Sequence, residues 1–298
     1  MEVEKGFYKN QPRMVLFEIT TRCNLACSYC TARQLVKEPK DLEIDKIREL
    51  RPALEAFEYI AFCGLGEALI HKNFYEILEI FKDKKIVIVT NGSVPIDYER
   101  LIRYDNIDAI TFSVDGATEE SMKRICTRYR FDVLLKNLEE GLKYGVNCAF
   151  NTTITEDTYK ELSGIQDMIV KYGVKCFKLG LPLGKEKWVS DHINEIHDAL
   201  YKIRDNMKEL SVIYEDPFEV KCCCDNAPIA VVSKNGNFYP CCDYFCGRPL
   251  VGNLYHHSFI NIWNKSSYEG FREGKFCSRC KQYHNLKELA VPKMAWEA

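Results

Sequence analysis

The chain has 298 residues, and its 41 Lys and Arg residues against 43 Asp and Glu residues give a formal net charge of −2. Hydrophobic residues make up 46% of the chain and charged residues 28%, the usual mixture of a globular protein. The near-neutral charge argues against a nucleic-acid binder. No apolar run approaches the roughly 18 residues that span a bilayer, and residues 1–14 lack the apolar stretch of a signal peptide. We therefore expect a cytoplasmic protein without membrane contact.

Short runs of β-branched residues alternate with amphipathic helical stretches over most of the first 181 residues. The pattern predicts six strands, over residues 14–20, 59–63, 86–90, 109–114, 147–153 and 174–181. It predicts helices between them, over residues 43–57, 74–81, 96–103, 132–144 and 158–172. Such alternation indicates an α/β fold with a parallel sheet, right-handed crossovers and a ligand site at the carboxyl ends of the strands.

The composition changes near residue 210, where a long helical connector over residues 185–207 has ended and Cys, Asn, Gly and Tyr become frequent. We place a domain boundary there, which divides the chain into residues 14–210 and a small α+β unit over residues 211–298. In the second unit, an apolar strand at residues 229–232, a Lys234-Asn235-Gly236 turn and a strand at residues 238–239 predict a β-hairpin. A helix is predicted to begin near Phe259.

Cysteine is unusually frequent, with 15 residues in a chain for which disulfides are not expected. Three cysteines sit together near the start: Cys23, Cys27 and Cys30. Eight more lie in the last third: Cys222, Cys223, Cys224, Cys241, Cys242, Cys246, Cys277 and Cys280. Four others are scattered, and burial in the core is the ordinary interpretation for them: Cys63, Cys126, Cys148 and Cys176. The clustering predicts two separate thiolate-bound metal centres.

The first cysteine group has the spacing C-x3-C-x2-C and follows the first predicted strand directly. Iron–sulfur clusters are held by cysteine thiolates, so three local cysteines leave one iron of a four-iron cluster without a protein ligand. An open coordination site on iron is a place for small-molecule chemistry. A zinc knuckle is the alternative, but structural zinc generally has four ligands. No Cys or His follows within the 30 residues after Cys30.

This motif resembles the signature of the radical S-adenosylmethionine (SAM) enzymes, in which an aromatic residue, here Tyr29, precedes the third cysteine. Further segments resemble that family in the order in which it places them after successive strands. They are Gly64-Leu65-Gly66-Glu67 after the second strand, Thr90-Asn91-Gly92 after the third, Ser113-Val114-Asp115-Gly116 after the fourth, and Asn151 on the fifth. Alone, the Asn-Gly and Asp-Gly pairs are ordinary turns and Glu67 is a solvated loop residue. Their joint order makes the match specific.

The resemblance covers residues 20–181 and implies a partial (β/α)6 barrel of the TIM type. It implies that Cys23, Cys27 and Cys30 hold a 4Fe–4S cluster whose open iron binds SAM through its amino and carboxylate groups. Several residues would contact SAM, with Glu67 at the methionine amino group: Tyr29, Gly64, Gly66, Glu67, Asn91, Ser113, Asp115 and Asn151. One-electron reduction, from a donor such as flavodoxin or ferredoxin, then gives a 5′-deoxyadenosyl radical that abstracts a hydrogen atom from the substrate.

The second cysteine group supplies a complete set of four thiolates. Cys224 and Cys241 flank the predicted hairpin, and a C-x2-C pair follows the helix at Cys277 and Cys280. A closed four-thiolate centre can store or pass an electron, but it cannot easily bind a substrate. A four-cysteine zinc ribbon has the same kind of spacing and stays open as an alternative on this ground.

The order of segments around these cysteines resembles the twitch domain, a shortened form of the SPASM auxiliary-cluster domain. The matching segments are Pro240-Cys241-Cys242-Asp243, Val251-Gly252-Asn253-Leu254 and Ile262-Trp263-Asn264. No cysteine follows Cys280, so the resemblance implies one auxiliary 4Fe–4S cluster, held by Cys224, Cys241, Cys277 and Cys280. Cys222 or Cys223 can replace Cys224 as a ligand, and Cys246 is a candidate hydrogen donor.

An auxiliary cluster that accepts an electron from the substrate radical predicts oxidation, whereas a thiol that donates a hydrogen atom predicts epimerisation. Only about 13 residues precede the first strand, which argues against a separate leader-peptide-binding domain. We therefore expect a small polar substrate such as a sugar or aminocyclitol, with a ribosomally made peptide as the alternative. A non-enzymatic zinc or electron-transfer protein is a remote alternative that would need neither Glu67 nor Ser113.

Overall fold

A computed structural model describes residues 13–182, 185–218, 230–239 and 250–264. Its framework is one ten-stranded sheet with the order β10-β9-β8-β1-β2-β3-β4-β5-β6-β7. The strands are β1 Met14–Phe17, β2 Tyr59–Phe62, β3 Lys85–Thr90, β4 Ile107–Ser113, β5 Cys148–Thr153, β6 Cys176–Gly180, β7 Ile213–Glu215, β8 Ala230–Val232, β9 Asn237–Tyr239 and β10 Gly252–Asn253. Strands β1 to β7 are parallel to their neighbours, which confirms the predicted α/β barrel fold.

Ten α-helices are described, and most of them connect the strands. They are α1 Ala32–Leu35, α2 Ile44–Leu50, α3 Phe74–Ile80, α4 Tyr98–Leu101, α5 Glu119–Ile125, α6 Phe131–Lys143, α7 Leu162–Lys171, α8 Glu186–Asp191, α9 Ile193–Glu209 and α10 Phe259–Trp263. Short 3-10 segments cover Arg51–Ala56, Ala68–Ile70 and Tyr159–Glu161. Among the described residues, no helix combines the length and the apolar character that crossing a membrane requires.

Phenylalanines at matching heights of the strands form the centre of the core. Phe17 pairs with Phe62 across β1 and β2, and Phe150 lies between Phe112 and Phe177 across β4 to β6. All five side chains are fully buried. Burial of a side chain of this size contributes about 1.5–3 kcal/mol, so this layer stabilises the parallel sheet from which the loops of the site emerge.

The structure differs from the predicted elements in several places, and the short elements α1 and β10 were not predicted. The predicted helix over residues 43–57 becomes 3-10 helix after α2, because Pro52 lacks the amide hydrogen that an α-helix needs. Helix α5 was not predicted; its first turn is held by a capping box between Thr118 and Ser121. Strand β7 was also not predicted. Its three residues, one exposed and two half-buried, show no alternation of apolar and polar side chains, and they are ordered by pairing with β6.

The predicted hairpin is confirmed and belongs to the same sheet as the barrel strands. Strands β8 and β9 are antiparallel, and β8 runs parallel to β1 with Val15 opposite Ala230. Gly236 in the connecting turn has a φ of +73°, which favours glycine. The hairpin therefore lies beside the strand that leads into the first cysteine group. The domain boundary near residue 210 stays a prediction.

Candidate cluster and SAM site

The carboxyl ends of the parallel strands bring the predicted site residues to one rim of the sheet. The first cysteine group follows β1, the Gly64–Glu67 segment follows β2, and Asn91 follows β3 directly. Ser113 ends β4 and pairs in register with Asn151 on β5. Register partners on neighbouring strands share a face of the sheet, so these two half-buried side chains lie side by side. Motifs that follow one another along the sequence therefore lie next to one another on this rim.

The loop that carries the first cysteine group, residues 18–31, is held by its own backbone and by helix α5. The amide of Cys30 donates to the carbonyl of Cys27 at 3.1 Å, and the amide of Ser28 donates to the carbonyl of Ile125 at 3.0 Å. Next to Ile125, the buried Cys126 accepts a hydrogen bond from the amide of Ala26, with a sulfur–nitrogen distance of 3.5 Å. Cys126 was expected only to fill the core, and no local pattern links it to a loop 100 residues away.

The thiols of this loop suit a multi-iron cluster. Burial raises the pKa of the Cys27 thiol above its usual range, and the neighbouring Cys126 adds to the shift. The metal-free thiol is therefore neutral, and bound iron would favour the thiolate. In the described part of the chain, no three His, Cys, Asp or Glu side chains converge closely enough to hold one metal ion.

The Gly64–Glu67 segment packs directly against the cysteine loop. The amide of Glu67 donates to the carbonyl of Arg22 at 2.8 Å. A Cβ atom built on Gly66 would lie 2.4 Å from the carbonyl oxygen of Thr20 and 2.6 Å from that of Arg22. Both contacts are to backbone, which cannot swing aside, so only glycine allows this approach. The second glycine of the motif is explained by backbone packing, while its contact with SAM stays a prediction.

Glu67 is buried, with 2% of its surface exposed, which contradicts the alternative of a solvated loop residue. One carboxylate oxygen accepts from the amide of Leu69 at 3.1 Å and the other from the amide of Asn91 at 2.7 Å. Burial nevertheless raises the pKa of Glu67 to about 7. An ammonium group would favour its ionised form, so this carboxylate fits the predicted contact with the amino group of SAM.

Asn91 connects this carboxylate to the cysteine loop. Its side-chain amide donates to Asn24 at 2.9 Å and lies 3.8 Å from the sulfur of Cys23. The backbone carbonyl oxygen of Asn91 accepts a hydrogen bond from the hydroxyl of Tyr129 at 2.7 Å. Tyr129 and Asn24 were not predicted as parts of the site, because Tyr129 belongs to no recognisable motif and Asn24 is one of the unspecified positions between Cys23 and Cys27. Asn91 is therefore positioned beside the first cluster cysteine.

Tyr29 and Asp115 form a buried link between the cysteine loop and the ends of β4 and β5. The hydroxyl of Tyr29 donates to one carboxylate oxygen of Asp115. The other oxygen accepts from the amide of Thr153 at 2.8 Å. Burial raises the pKa of Asp115 to about 6. Both oxygens of Asp115 have protein partners, and the predicted contacts of Tyr29 and Asp115 with SAM stay predictions.

The predicted auxiliary-cluster residues Cys224, Cys241, Cys277 and Cys280 lie outside the described residues, as does Cys246. The described hairpin and helix α10 are the elements that the sequence predicted beside them. Between the hairpin and residues 39–49 runs a groove of about 820 Å³, whose exposed surface is about equally polar and apolar. Its walls include Arg22, Lys40, Asp41, Lys46, Lys234 and Tyr255.

Residues 17–169 match the radical SAM superfamily, and residues 222–282 match the SPASM family, described as an iron–sulfur cluster-binding domain. The chain therefore belongs to the radical SAM superfamily and carries a C-terminal SPASM domain. The first domain binds SAM and a 4Fe–4S cluster, and the second binds auxiliary iron–sulfur clusters. These matches confirm the recognition and the cofactors that the cysteine motifs predicted; the number of auxiliary clusters stays a prediction.

The chain is similar to the tungsten-containing aldehyde ferredoxin oxidoreductase cofactor-modifying protein of Pyrococcus furiosus, with 26% identity over 87% of this chain and 83% of that protein. It is 23% identical to the mycofactocin maturase MftC of Mycolicibacterium smegmatis, over 91% of this chain and 74% of that protein. Streptococcus suis SuiB, solved with SAM, has a TM-score of 0.71 at 15% identity and covers 88% of this chain and 68% of its own. The structure of SuiB bound to the precursor peptide SuiA has a TM-score of 0.69 at 15% identity, and the match covers 88% of this chain and 67% of SuiB. The structural likeness shows the fold.

Proposed function

We propose that this radical SAM enzyme modifies a peptide substrate. The observation that carries the proposal is the extent of the match to MftC, a maturase, which runs over 91% of this chain and so includes both domains. SuiB, which has the same fold, has been solved with a precursor peptide.

In this proposal the residues of the barrel bind and orient. When bound, SAM supplies a 5′-deoxyadenosyl radical, which takes a hydrogen atom from the substrate. Cys23, Cys27 and Cys30 hold the cluster, and Glu67 accepts a hydrogen bond from the amino group of SAM. Ser113 and Asn151, which are register partners on β4 and β5, contact the ribose end.

The C-terminal domain decides what happens to the substrate after the loss of hydrogen. Cys224, Cys241, Cys277 and Cys280 hold one auxiliary 4Fe–4S cluster, which supplies an electron acceptor. Oxidation of the substrate is the expected outcome, as a new bond or a dehydrogenated side chain. Cys246 is the candidate donor if the reaction is an epimerisation. Flavodoxin or ferredoxin as reductant and the cytoplasm as location remain predictions.

A small polar substrate is the second candidate. It is favoured by the similarity over 87% of this chain to a protein described as cofactor-modifying. Sugars and aminocyclitols remain the predicted examples of this class.

The experiment that separates the two substrates uses holoenzyme with reconstituted clusters, SAM and a chemical reductant. One arm contains short precursor peptides encoded beside the gene, and the other contains a panel of aminocyclitols and sugars. We expect peptides to stimulate 5′-deoxyadenosine formation and to lose mass that corresponds to hydrogen, as measured by mass spectrometry. Turnover of a small polar compound with no response to any peptide would contradict the proposal. A variant without Cys23, Cys27 and Cys30 controls for chemistry outside the site.

A further inference from the structure

Glu18 is an acidic residue between the apolar Phe17 and Ile19; it follows β1 directly and lies five positions before the first cluster cysteine. It is buried, with 3% of its surface exposed. A buried carboxylate is costly unless it accepts hydrogen bonds from well-placed donors. Two groups that donate to Glu18 belong to segments far apart in the sequence, and this makes the residue informative.

One carboxylate oxygen of Glu18 accepts from the amide of Leu65 at 2.9 Å. Leu65 lies inside the Gly64–Glu67 segment that follows β2. The side chain also fits closely against this segment, because a Cβ atom on Gly64 would lie 2.6 Å from the Cγ atom of Glu18. Glu18 therefore determines where the backbone of this segment lies.

The other carboxylate oxygen of Glu18 accepts from the amide of Lys234 at 3.2 Å. Lys234 is in the turn of the hairpin of the C-terminal domain. The backbone amide of Glu18 itself donates to the carbonyl of Val232 at 2.9 Å. The side chain of Lys234 returns to the cysteine loop, with its Nζ atom 3.3 Å from the hydroxyl of Thr21. The hairpin therefore both donates hydrogen bonds to the cysteine loop and accepts one from it, at and next to Glu18.

We propose that Glu18 is a positioning residue that couples the SAM-binding segment of the barrel to the hairpin of the auxiliary-cluster domain. The carboxylate of Glu18 accepts hydrogen bonds from a backbone amide of residues 64–67 and from a backbone amide of the hairpin turn. Displacement of the hairpin therefore changes the position of residues 64–67, the segment that faces SAM. The inference rests on the proposed role of residues 64–67 in binding SAM. It does not depend on the identity of the substrate.

The first test compares holoenzyme carrying Glu18→Gln with holoenzyme carrying Glu58→Gln, a change at a surface carboxylate paired with Arg13. Glutamine keeps the size of the side chain, but one of its two terminal atoms is a donor, so one of the two amides loses its acceptor. We expect unchanged iron content, a roughly 10- to 100-fold weaker binding of SAM, and an altered electron paramagnetic resonance signal of the SAM-bound reduced cluster. Glu58→Gln should match the wild type in all three.

The second test removes only the hairpin donor. Lys234 follows Ser233 in a turn closed by a bond of 2.8 Å from the amide of Gly236 to the carbonyl of Ser233. Proline is favoured at this turn position and lacks an amide hydrogen. Lys234→Pro therefore deletes the donor to Glu18, whereas Lys234→Ala deletes the side chain and keeps the donor. We expect Lys234→Pro to weaken SAM binding several-fold relative to Lys234→Ala and to change the same spectroscopic signal.

The outcomes separate this inference from the assignment on which it rests. Unchanged SAM affinity and spectrum in Glu18→Gln, in a preparation where Glu67→Ala weakens SAM binding, would overturn the role of Glu18 alone. Equal behaviour of Lys234→Pro and Lys234→Ala would overturn the coupling to the hairpin. If Glu67→Ala also leaves SAM affinity unchanged, the assignment of residues 64–67 is wrong and the inference fails with it.

Discussion

The carboxylate of Glu67 accepts a hydrogen bond of 2.7 Å from the backbone amide of Asn91. This bond joins the loop after β2 to the loop after β3, and the side chain of Asn91 continues to Asn24 beside the first cluster cysteine. The glutamate of the motif therefore has a structural role before any ligand binds. Its effect on SAM has to be separated from its effect on the loops.

Glu67→Ala should leave both clusters in place and weaken the binding of SAM by roughly 10- to 100-fold, because a hydrogen bond to a charged group contributes about 1.5–3 kcal/mol. It should also lower the free energy of unfolding by about 1–3 kcal/mol, since the amides of Leu69 and Asn91 lose their acceptor. Equilibrium binding of SAM and urea unfolding measure the two effects. A variant that loses stability but binds SAM normally would restrict Glu67 to the structural role.

Gly66→Ala should disrupt the packing of the SAM-binding segment on the cysteine loop. The new Cβ atom would lie 2.4 Å from a backbone oxygen of Thr20, and overpacking of this kind costs about 1–3 kcal/mol. Gly180→Ala is the matched control, because its Cβ atom meets nothing within 4 Å. We expect a lower melting temperature and weaker SAM binding only for Gly66→Ala. Equal behaviour of the two variants would show that the segment moves aside freely.

Asp115 should make the stability of the metal-free protein depend on pH. Burial raises its pKa to about 6 from the ordinary 3.8. The folded state therefore binds the proton more tightly than the unfolded chain. Protonation of Asp115 contributes up to about 3 kcal/mol to the free energy of unfolding. This contribution is complete below about pH 4 and is lost as the pH rises through about 6.

Urea unfolding of the wild type and of Asp115→Asn between pH 4 and 8 measures this contribution. Between pH 4 and 6, the free energy of unfolding should fall less in Asp115→Asn than in the wild type. Glu67, whose pKa is raised to about 7, gives a decline of the same sign in both proteins, so the difference between them reports Asp115. Parallel curves would show that Asp115 titrates in its usual range.

Replacement of Cys23, Cys27 and Cys30 by Ala should remove about four of about eight irons per chain and abolish formation of 5′-deoxyadenosine. Iron and sulfide analysis of anaerobically purified protein, together with chromatography of the SAM cleavage products, measures both effects. Retention of SAM cleavage by the triple variant would contradict the assignment of this motif.

Replacement of Cys277 and Cys280 by Ala should remove the other iron–sulfur cluster and leave reductive SAM cleavage largely intact. Substrate turnover should fail, because the electron acceptor is lost. Thermal stability must be measured in parallel, since a closed metal site also contributes folding free energy. A folded variant that processes substrate at the normal rate would show that this centre is structural, as in a zinc ribbon.

The amino-acid sequence by itself determined the cysteine spacings, the order of the motifs and the six main strands. These features are local: an apolar run such as the one at residues 59–63 is decided by neighbours within a few positions. The carboxyl ends of successive parallel strands must also share one edge of the sheet, so the meeting of the Glu67 and Asn91 loops followed from the order of the strands.

Only the tertiary structure decided which groups support the site. The carboxylate of Glu18 accepts hydrogen bonds from Leu65, 47 positions away, and from Lys234, 216 positions away. The thiol of Cys126 accepts a hydrogen bond from the amide of Ala26, 100 positions away. Strand β7 is ordered by its partner β6, because its three residues carry no periodic pattern of their own. The structure also shows that Glu67 is buried and joins two loops through the amide of Asn91, a role that the motif alone did not indicate. Such roles depend on long-range register and packing, which no local run of residues encodes.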